Sequence, residues 1–249
     1  MAGHSHWANI KRKKEAVDAK RGKTWTKASK AISVAASLGG GDPDANPRLR
    51  LAISDARSAR MPNDTIQRAI KKGTGDLKGN AIEEIVYEGY GPAGVAVMCD
   101  VLTDNRNRTA PELRKIFDTH GGNLGASGCV AWNFDRMGVI SIDQSQTTEE
   151  TLMELALEAG AEDVRREGEG FTVMCPPESY SDLLEALEQA SIEVENSTVT
   201  RVPKDTVDVT GDDAKTLLSL MEALDDHDDV QNVSANFNLS AEVLAEIEG

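Results

Sequence analysis

Lys11, Arg12, Lys13 and Lys14, then Lys20, Arg21 and Lys23, then Lys27 and Lys30, set nine cations against two acids in the first 30 residues. That density suits a line of phosphates, because each phosphate neutralised by Lys or Arg releases condensed counterions. Arg68, Lys71 and Lys72 form a second cationic group. Trp7 and Trp25 lie among these charges and carry ring faces on which an exposed base could stack. The competing account is a solvated, charged helix face, and the scarcity of interleaved acids weighs against it. Trp25 falls on an apolar stripe, so core packing is its better account; Trp7 stays a stacking candidate.

Other constellations carry less. Arg106 and Arg108 sit in Thr103-Asp104-Asn105-Arg106-Asn107-Arg108-Thr109, between a predicted strand and a helix N-terminus. Such a place can bind phosphate, but pairing with neighbouring carboxylates weighs evenly with it. His4 and His6 with the terminal amine give at most a weak metal site, for want of further Cys or His. The stretch from Gly121 to Gly128 lacks both the GxGxxG spacing and a Gly-Lys-Ser/Thr ending. It follows a helix, so a C-cap and turn explain it better. His227 lies in Asp225-Asp226-His227-Asp228-Asp229 without the glycine and spaced ligands of a calcium loop, and a solvated acidic turn is expected. His120 and Cys129 have no third group or oxyanion site to make a catalytic set. No catalytic residue, metal or small-molecule substrate is therefore expected.

The elements that hold the cations read as helical. From Thr24 to Leu38, Trp25, Ala28, Ile32, Ala35 and Ala36 recur at helical spacing. Lys23, Lys27 and Lys30 fall on the opposite side, with Val34 among them. Asn46 and Pro47 form a cap and first turn for a helix whose stripe is Leu49, Ala52, Ile53 and Ala56. Asn63 is expected to cap a third helix that buries Ile66, Ala69 and Ile70 and ends at Gly73. Strands enter after residue 80, at 85–90 and 95–103, followed by a helix at 110–120 and a strand at 129–134. Residues 138–202 give the order β-α-β-β-α-β of a ferredoxin-like unit. A strand at 206–209, a helix at 213–224 and a strand at 230–237 are too few for a domain alone, so they return to the sheet begun near residue 83. The expectation is an α+β multidomain protein: a helical domain over 1–80, an α+β domain over 81–136 plus 204–249, and a plait inserted over 137–203.

Charge follows the same division. Residues 1–80 hold 17 Lys and Arg against 7 Asp and Glu, whereas residues 81–249 hold 10 against 35, within a net charge of −15. At physiological salt the Debye length is about 8 Å, so a distant acidic body is largely screened from a basic surface. No apolar run approaches the ~20 residues of a membrane helix, and the N-terminus lacks the apolar stretch expected of a secretory signal. Glu15 and Asp18 interrupt anything like a mitochondrial presequence. Three widely spaced cysteines argue for neither a disulfide framework nor a metal site and fit a reducing cytoplasm.

The opening Ala2-Gly3-His4-Ser5-His6-Trp7-Ala8-Asn9-Ile10-Lys11, with Asp18-Ala19-Lys20-Arg21-Gly22-Lys23, resembles that of YebC-family proteins. So do Gly39 to Arg50, Tyr87 to Pro92, Asp104 to Thr109, Gly121 to Gly125 and Ala156 to Val164. The likeness runs from residue 2 to about 237. Relatives often carry Lys in place of His6 and Ser in place of Cys129; the first difference removes one phosphate contact. The resemblance implies a helical domain followed by two α/β-plait domains, one inserted in the other, with no catalytic activity and no cofactor. It implies a regulator of gene expression in the bacterial cytoplasm. Members of the family are described either as DNA-binding transcriptional regulators or as translation factors acting at the ribosome, some on stalled proline-rich synthesis. Since Lys and Arg position a protein more than they read sequence, ribosomal RNA or weakly specific DNA is the expected partner.

Overall fold

Among the described residues three helices come first, because their apolar residues recur at helical spacing and their ends are punctuated by Gly, Asn and Pro. The computed structural model describes residues 21–77, 80–168, 170–240 and 243. Helix α1 spans Arg21–Gly39, α2 Pro47–Ser58 and α3 Asn63–Gly73. Asn46 caps α2 as expected, its side-chain oxygen accepting from the Leu49 N–H at 3.1 Å. The same side chain donates to the Ala35 and Gly40 carbonyls, at 2.8 and 2.9 Å, and so ties the end of α1 to the start of α2. Asn63 does not cap α3: the helix begins at Asn63, with Pro62 at the cap position and no side-chain bond there. Leu49, Ile53, Ile66 and Ile70 meet Ile32 and Ala36 in one core. Gly73 allows the closest approach, since a Cβ there would lie 2.2 Å from the Ser33 carbonyl oxygen of α1.

Val34 departs from the sequence reading. It is buried although it sits on the cationic side, and α1 touches strand β2 of the first sheet as well as α2 and α3. The basic side of α1 is thus covered by protein along part of its length.

The first sheet is built from β1 (Glu83–Tyr90), β2 (Ala96–Thr103), β3 (Asn123–Leu124) and, far along the chain, β9 (Val230–Ala235), in the order β3-β1-β2-β9. All its pairings are antiparallel, with β1 and β2 in register from Glu83 opposite Thr103 to Tyr90 opposite Ala96. Helices α4 (Arg106–Thr119) and α7 (Gly211–Asp225) supply Leu113, Phe117, Leu217 and Leu224 to a core with Val97 and Val101 of β2. Each such apolar side chain taken out of water contributes about 1.5–3 kcal/mol.

Two boundaries differ from expectation. Helix α4 begins four residues earlier than expected, because Asn105 caps it by accepting from the Arg108 N–H; Pro111 is carried inside the helix at the cost of one bond. The strand expected over 129–134 starts only at Phe134, after a turn and a short 3₁₀ segment at Ala131–Asn133. Its backbone N–H groups are engaged elsewhere: the buried Glu88 carboxylate accepts from Gly128, Val130 and Ala131 at 2.7, 2.9 and 2.9 Å.

Residues 132–206 form a compact unit of their own; the described residues before and after it form the other. In the former, β4 (Phe134–Asp143), α5 (Glu149–Glu158), β5 (Asp163–Glu167), β6 (Gly170–Cys175), α6 (Tyr180–Gln189) and β7 (Asn196–Pro203) follow in the expected order. The antiparallel sheet runs β5-β6-β4-β7, which is the ferredoxin-like plait. Ile140, Val173, Leu152, Leu183 and Leu187 fill its core. In the latter unit, β8 (Val207–Asp208) and β10 (Phe237–Asn238) add a short parallel pair. The first sheet is also four-stranded and antiparallel but has a different order, with the hairpin strands β1 and β2 at its centre, and its last strand comes after the intervening unit. The architecture is the expected α+β one.

Candidate nucleic-acid interface

Lys23, Lys27 and Lys30 lie at i, i+4 and i+7 on α1, one above another on a single face. That row does not stand open. It lies against the C-terminal end of α7 and the turn leading to β9. Lys23 Nζ donates to the Asp226 carbonyl at 3.1 Å, Lys27 Nζ to the Asp225 carbonyl at 2.5 Å and Lys30 Nζ to the Asp228 carbonyl at 2.8 Å. Carboxylates reinforce each contact: Asp226 at 3.8 Å from Lys23, Asp225 at 3.5 Å from Lys27 and Asp229 at 2.5 Å from Lys30. A helix C-terminus is a favourable place for cations, because its last carbonyls are unsatisfied and carry the negative end of the helix dipole.

Asp229 is the centre of this contact. Its carboxylate is buried and accepts from Lys30, from Arg108 at 2.7 Å, from Thr109 Oγ1 at 2.6 Å and from Thr103 Oγ1 at 3.2 Å. Burial pushes its pKa up, but the hydrogen bonds from Lys30, Thr109 and Arg108 and the Lys30 charge outweigh burial and hold it well below the usual carboxylate range. The hydrogen bond and charge of Asp229 in turn raise the Arg108 guanidinium further. His227 accepts from the Asp229 N–H at Nδ1 (3.1 Å), so its Nε2 carries the proton shared with Glu112 Oε2 at 3.1 Å. The acidic turn expected to be solvated is therefore a built contact, with Asp229 at 1% exposure.

A groove of about 920 Å³ runs beside it, lined by Lys23, Lys30, Arg108, Lys115, His120 and Asp226 among others. Glu112, His227 and Asp229 place possible ligand atoms within 4.8 Å of one another. Lys30 and Arg108 already sit on the Asp229 oxygens, so positive charge fills the place a metal ion would take.

Arg108 pairs with Asp229, and also lies 3.4 Å from Asp104 and 3.9 Å from Glu112. Arg106 lies 4.0 Å from Glu83. Both arginines of this loop thus lie beside carboxylates, with their side chains still partly exposed. Arg68, Lys71 and Lys72 of α3 differ: all three are exposed, and no ion pair among the described residues engages them. Trp25 packs against the helical core and donates Nε1–H to the Ala59 carbonyl at 3.0 Å, the core role expected of it. Trp7, Lys11, Arg12, Lys13, Lys14 and Lys20, and the side chain of Arg21, lie outside the described residues. Sequence reasoning missed Glu88, whose partners are backbone N–H groups that no side-chain pattern reveals. Cys99, Cys129 and Cys175 form no disulfide among the described residues, and burial pushes all three thiols up, away from the reactive thiolate.

Among the described residues no helix is long and apolar enough to cross a membrane. Comparison with known proteins places the chain. The family model for the TACO1/YebC protein N-terminal domain matches residues 5–76, and that for the TACO1/YebC second and third domain matches residues 82–237. A protein of Desulfatibacillum aliphaticivorans named "Probable transcriptional regulatory protein" is 54% identical over 246 residues, covering 99% of this chain and 100% of the relative. One from Rhodopirellula baltica, similarly named, is 54% identical over 247 residues, covering 99% of this chain and 100% of its own. The crystal structure of a conserved hypothetical protein from Aquifex aeolicus superposes with a TM-score of 0.82 at 47% identity, covering 91% of this chain and 94% of that one. With both family models matching in sequence order and relatives aligned over nearly the full length, the chain belongs to the TACO1/YebC family.

Proposed function

We propose that this protein is a non-enzymatic regulator of gene expression that binds nucleic acid through its basic N-terminal region in the cytoplasm. The observation that carries the reading is the exposed α3 face, where Arg68, Lys71 and Lys72 stand without ion-pair partners among the described residues. They belong to a region of 17 cations against 7 acids, to which Lys11, Arg12, Lys13, Lys14, Lys20 and Arg21 contribute and whose Trp7 offers a ring for stacking on a base. The regulatory names of the relatives agree with it. Two targets compete: duplex DNA, as in transcriptional regulation, and ribosomal RNA, as in a translation factor that assists stalled synthesis. The preponderance of Lys and Arg favours the ribosome, since such residues position more than they specify. A metal-dependent nuclease is disfavoured by the cations that cover Asp229.

The test is co-sedimentation with ribosomes in excess random duplex DNA, for the wild type and for Arg68→Glu/Lys71→Glu/Lys72→Glu. Retention by wild type and a loss of roughly 10- to 100-fold in the variant, with a flatter salt dependence, is the expected result. Stripping by duplex DNA at modest salt would favour the transcriptional reading. Equal binding by variant and wild type would remove α3 from the interface.

A further inference from the structure

The contact between α1 and the α7–β9 turn uses the chemistry a nucleic acid would use. Each of the three lysines meets a carbonyl oxygen and a carboxylate, as an ammonium meets phosphate oxygens. The turn concentrates four acids, Asp225, Asp226, Asp228 and Asp229, in five residues. Its outer part is only partly buried, with the side chains of Lys23 and Asp226 at 48% and 43% exposure. The fully buried anchoring of α1 lies further along, from Ile32 to Ala36; between Lys23 and Lys30 only Trp25 and Ala28 pack, partly buried, on the core, beside the charged contacts. An ion pair that exposed is weak and is sensitive to salt and to competing polyanions, so the row opens from this outer end, while the Lys27–Asp225 and Lys30–Asp229 pairs are more buried.

We propose that the acidic turn Asp225–Asp229 is a built-in phosphate mimic that occupies the Lys23, Lys27 and Lys30 face of α1, and that nucleic acid binds this face by displacing it. This rests on the reading of the N-terminal region as nucleic-acid binding and adds its regulation. The device lowers affinity for any single phosphate-bearing surface. Only a target that also engages the exposed α3 cations has enough contacts to open the row, so the turn filters out scattered, nonspecific binding. Three lysines released to phosphate would steepen the salt dependence by about 2 to 3 in slope.

The experiment measures binding of a fluorescein-labelled random duplex of ~30 base pairs, in DNA and RNA forms, over a range of salt. The full-length protein is compared with Asp226→Lys/Asp228→Lys, which repels the lysine row. A control with the same charge change, Asp182→Lys/Glu185→Lys, alters exposed acids on α6. About tenfold tighter binding and a steeper salt slope are expected for the turn variant and less than twofold for the control, and adding Lys23→Glu/Lys27→Glu should abolish the gain. Equal effects of the two charge changes would overturn the mimic while leaving nucleic-acid binding intact. No binding by wild type or either variant at low salt would overturn both. Hydrogen exchange on the wild type, free of any folding effect of substitution, provides the second readout. Amides 226–230 should lose protection when the duplex is added; unchanged or increased protection would overturn displacement.

Discussion

The Asp229 carboxylate accepts from Lys30, Arg108, Thr103 and Thr109 at once, and its behaviour with pH follows from that. Its folded pKa is depressed, so its contribution is complete above the unfolded value of about 3.8 and is lost as pH falls below that value through the folded one. Asp229→Asn should therefore destabilise the unit by about 3 kcal/mol at neutral pH, because Lys30 and Arg108 lose their anion in a place water barely reaches. Urea melts of the two proteins should differ by a constant amount between pH 5 and 8 and converge in strong acid. A difference that grows on acidification would contradict the assignment. Sequence showed the Lys row and the acidic turn separately but not their union: the partners stand 198 to 203 residues apart. Glu88 was hidden for a related reason, as its acceptor role depends on where a turn 40 or more residues away folds back.

Among the elements, those punctuated by local chemistry were legible. Helix α2 has its Asn46 cap, its Pro47 and all four stripe residues where the spacing put them. Helix α4 started earlier than read, because Pro111 suggests a boundary that the Asn105 cap and the buried Thr109 override. The spacing of α3 showed its two faces, while its contact with α1 depends on Gly73. A methyl group there would lie 2.2 Å from the Ser33 oxygen and 2.8 Å from the Ala36 Cβ, so the helices must part. Gly73→Ala should cost roughly 1–3 kcal/mol, seen as faster hydrogen exchange over residues 24–38 with the plait of residues 132–206 unaffected. Unchanged exchange would show that the pair can slide to accommodate a side chain.

At the scale of the molecule, the β-α-β-β-α-β order was readable from periodicity and turns alone, whereas the pairing of β9 with β2 was reached only by counting leftover elements. The plait of residues 132–206 begins and ends on neighbouring backbone: Lys204 N–H donates to the Asn133 carbonyl at 2.8 Å, and Asn133 and Asp205 exchange two further bonds. Replacing residues 134–203 with a short Gly-Ser linker should leave a chain that melts cooperatively and keeps its affinity for nucleic acid. A molten product would show that the first sheet depends on the inserted one.

The same arrangement sets a schedule for synthesis. Strand β2 leaves the ribosome well before β9, its antiparallel partner, and all of residues 132–206 must be made in between. At about 5–20 residues per second, that interval lasts on the order of ten seconds. Throughout it, one edge of β2 and the apolar surface awaiting α7 have no native cover. The nascent chain at this stage is the form most exposed to aggregation and to capture by chaperones, and slow codons within the insert would prolong it.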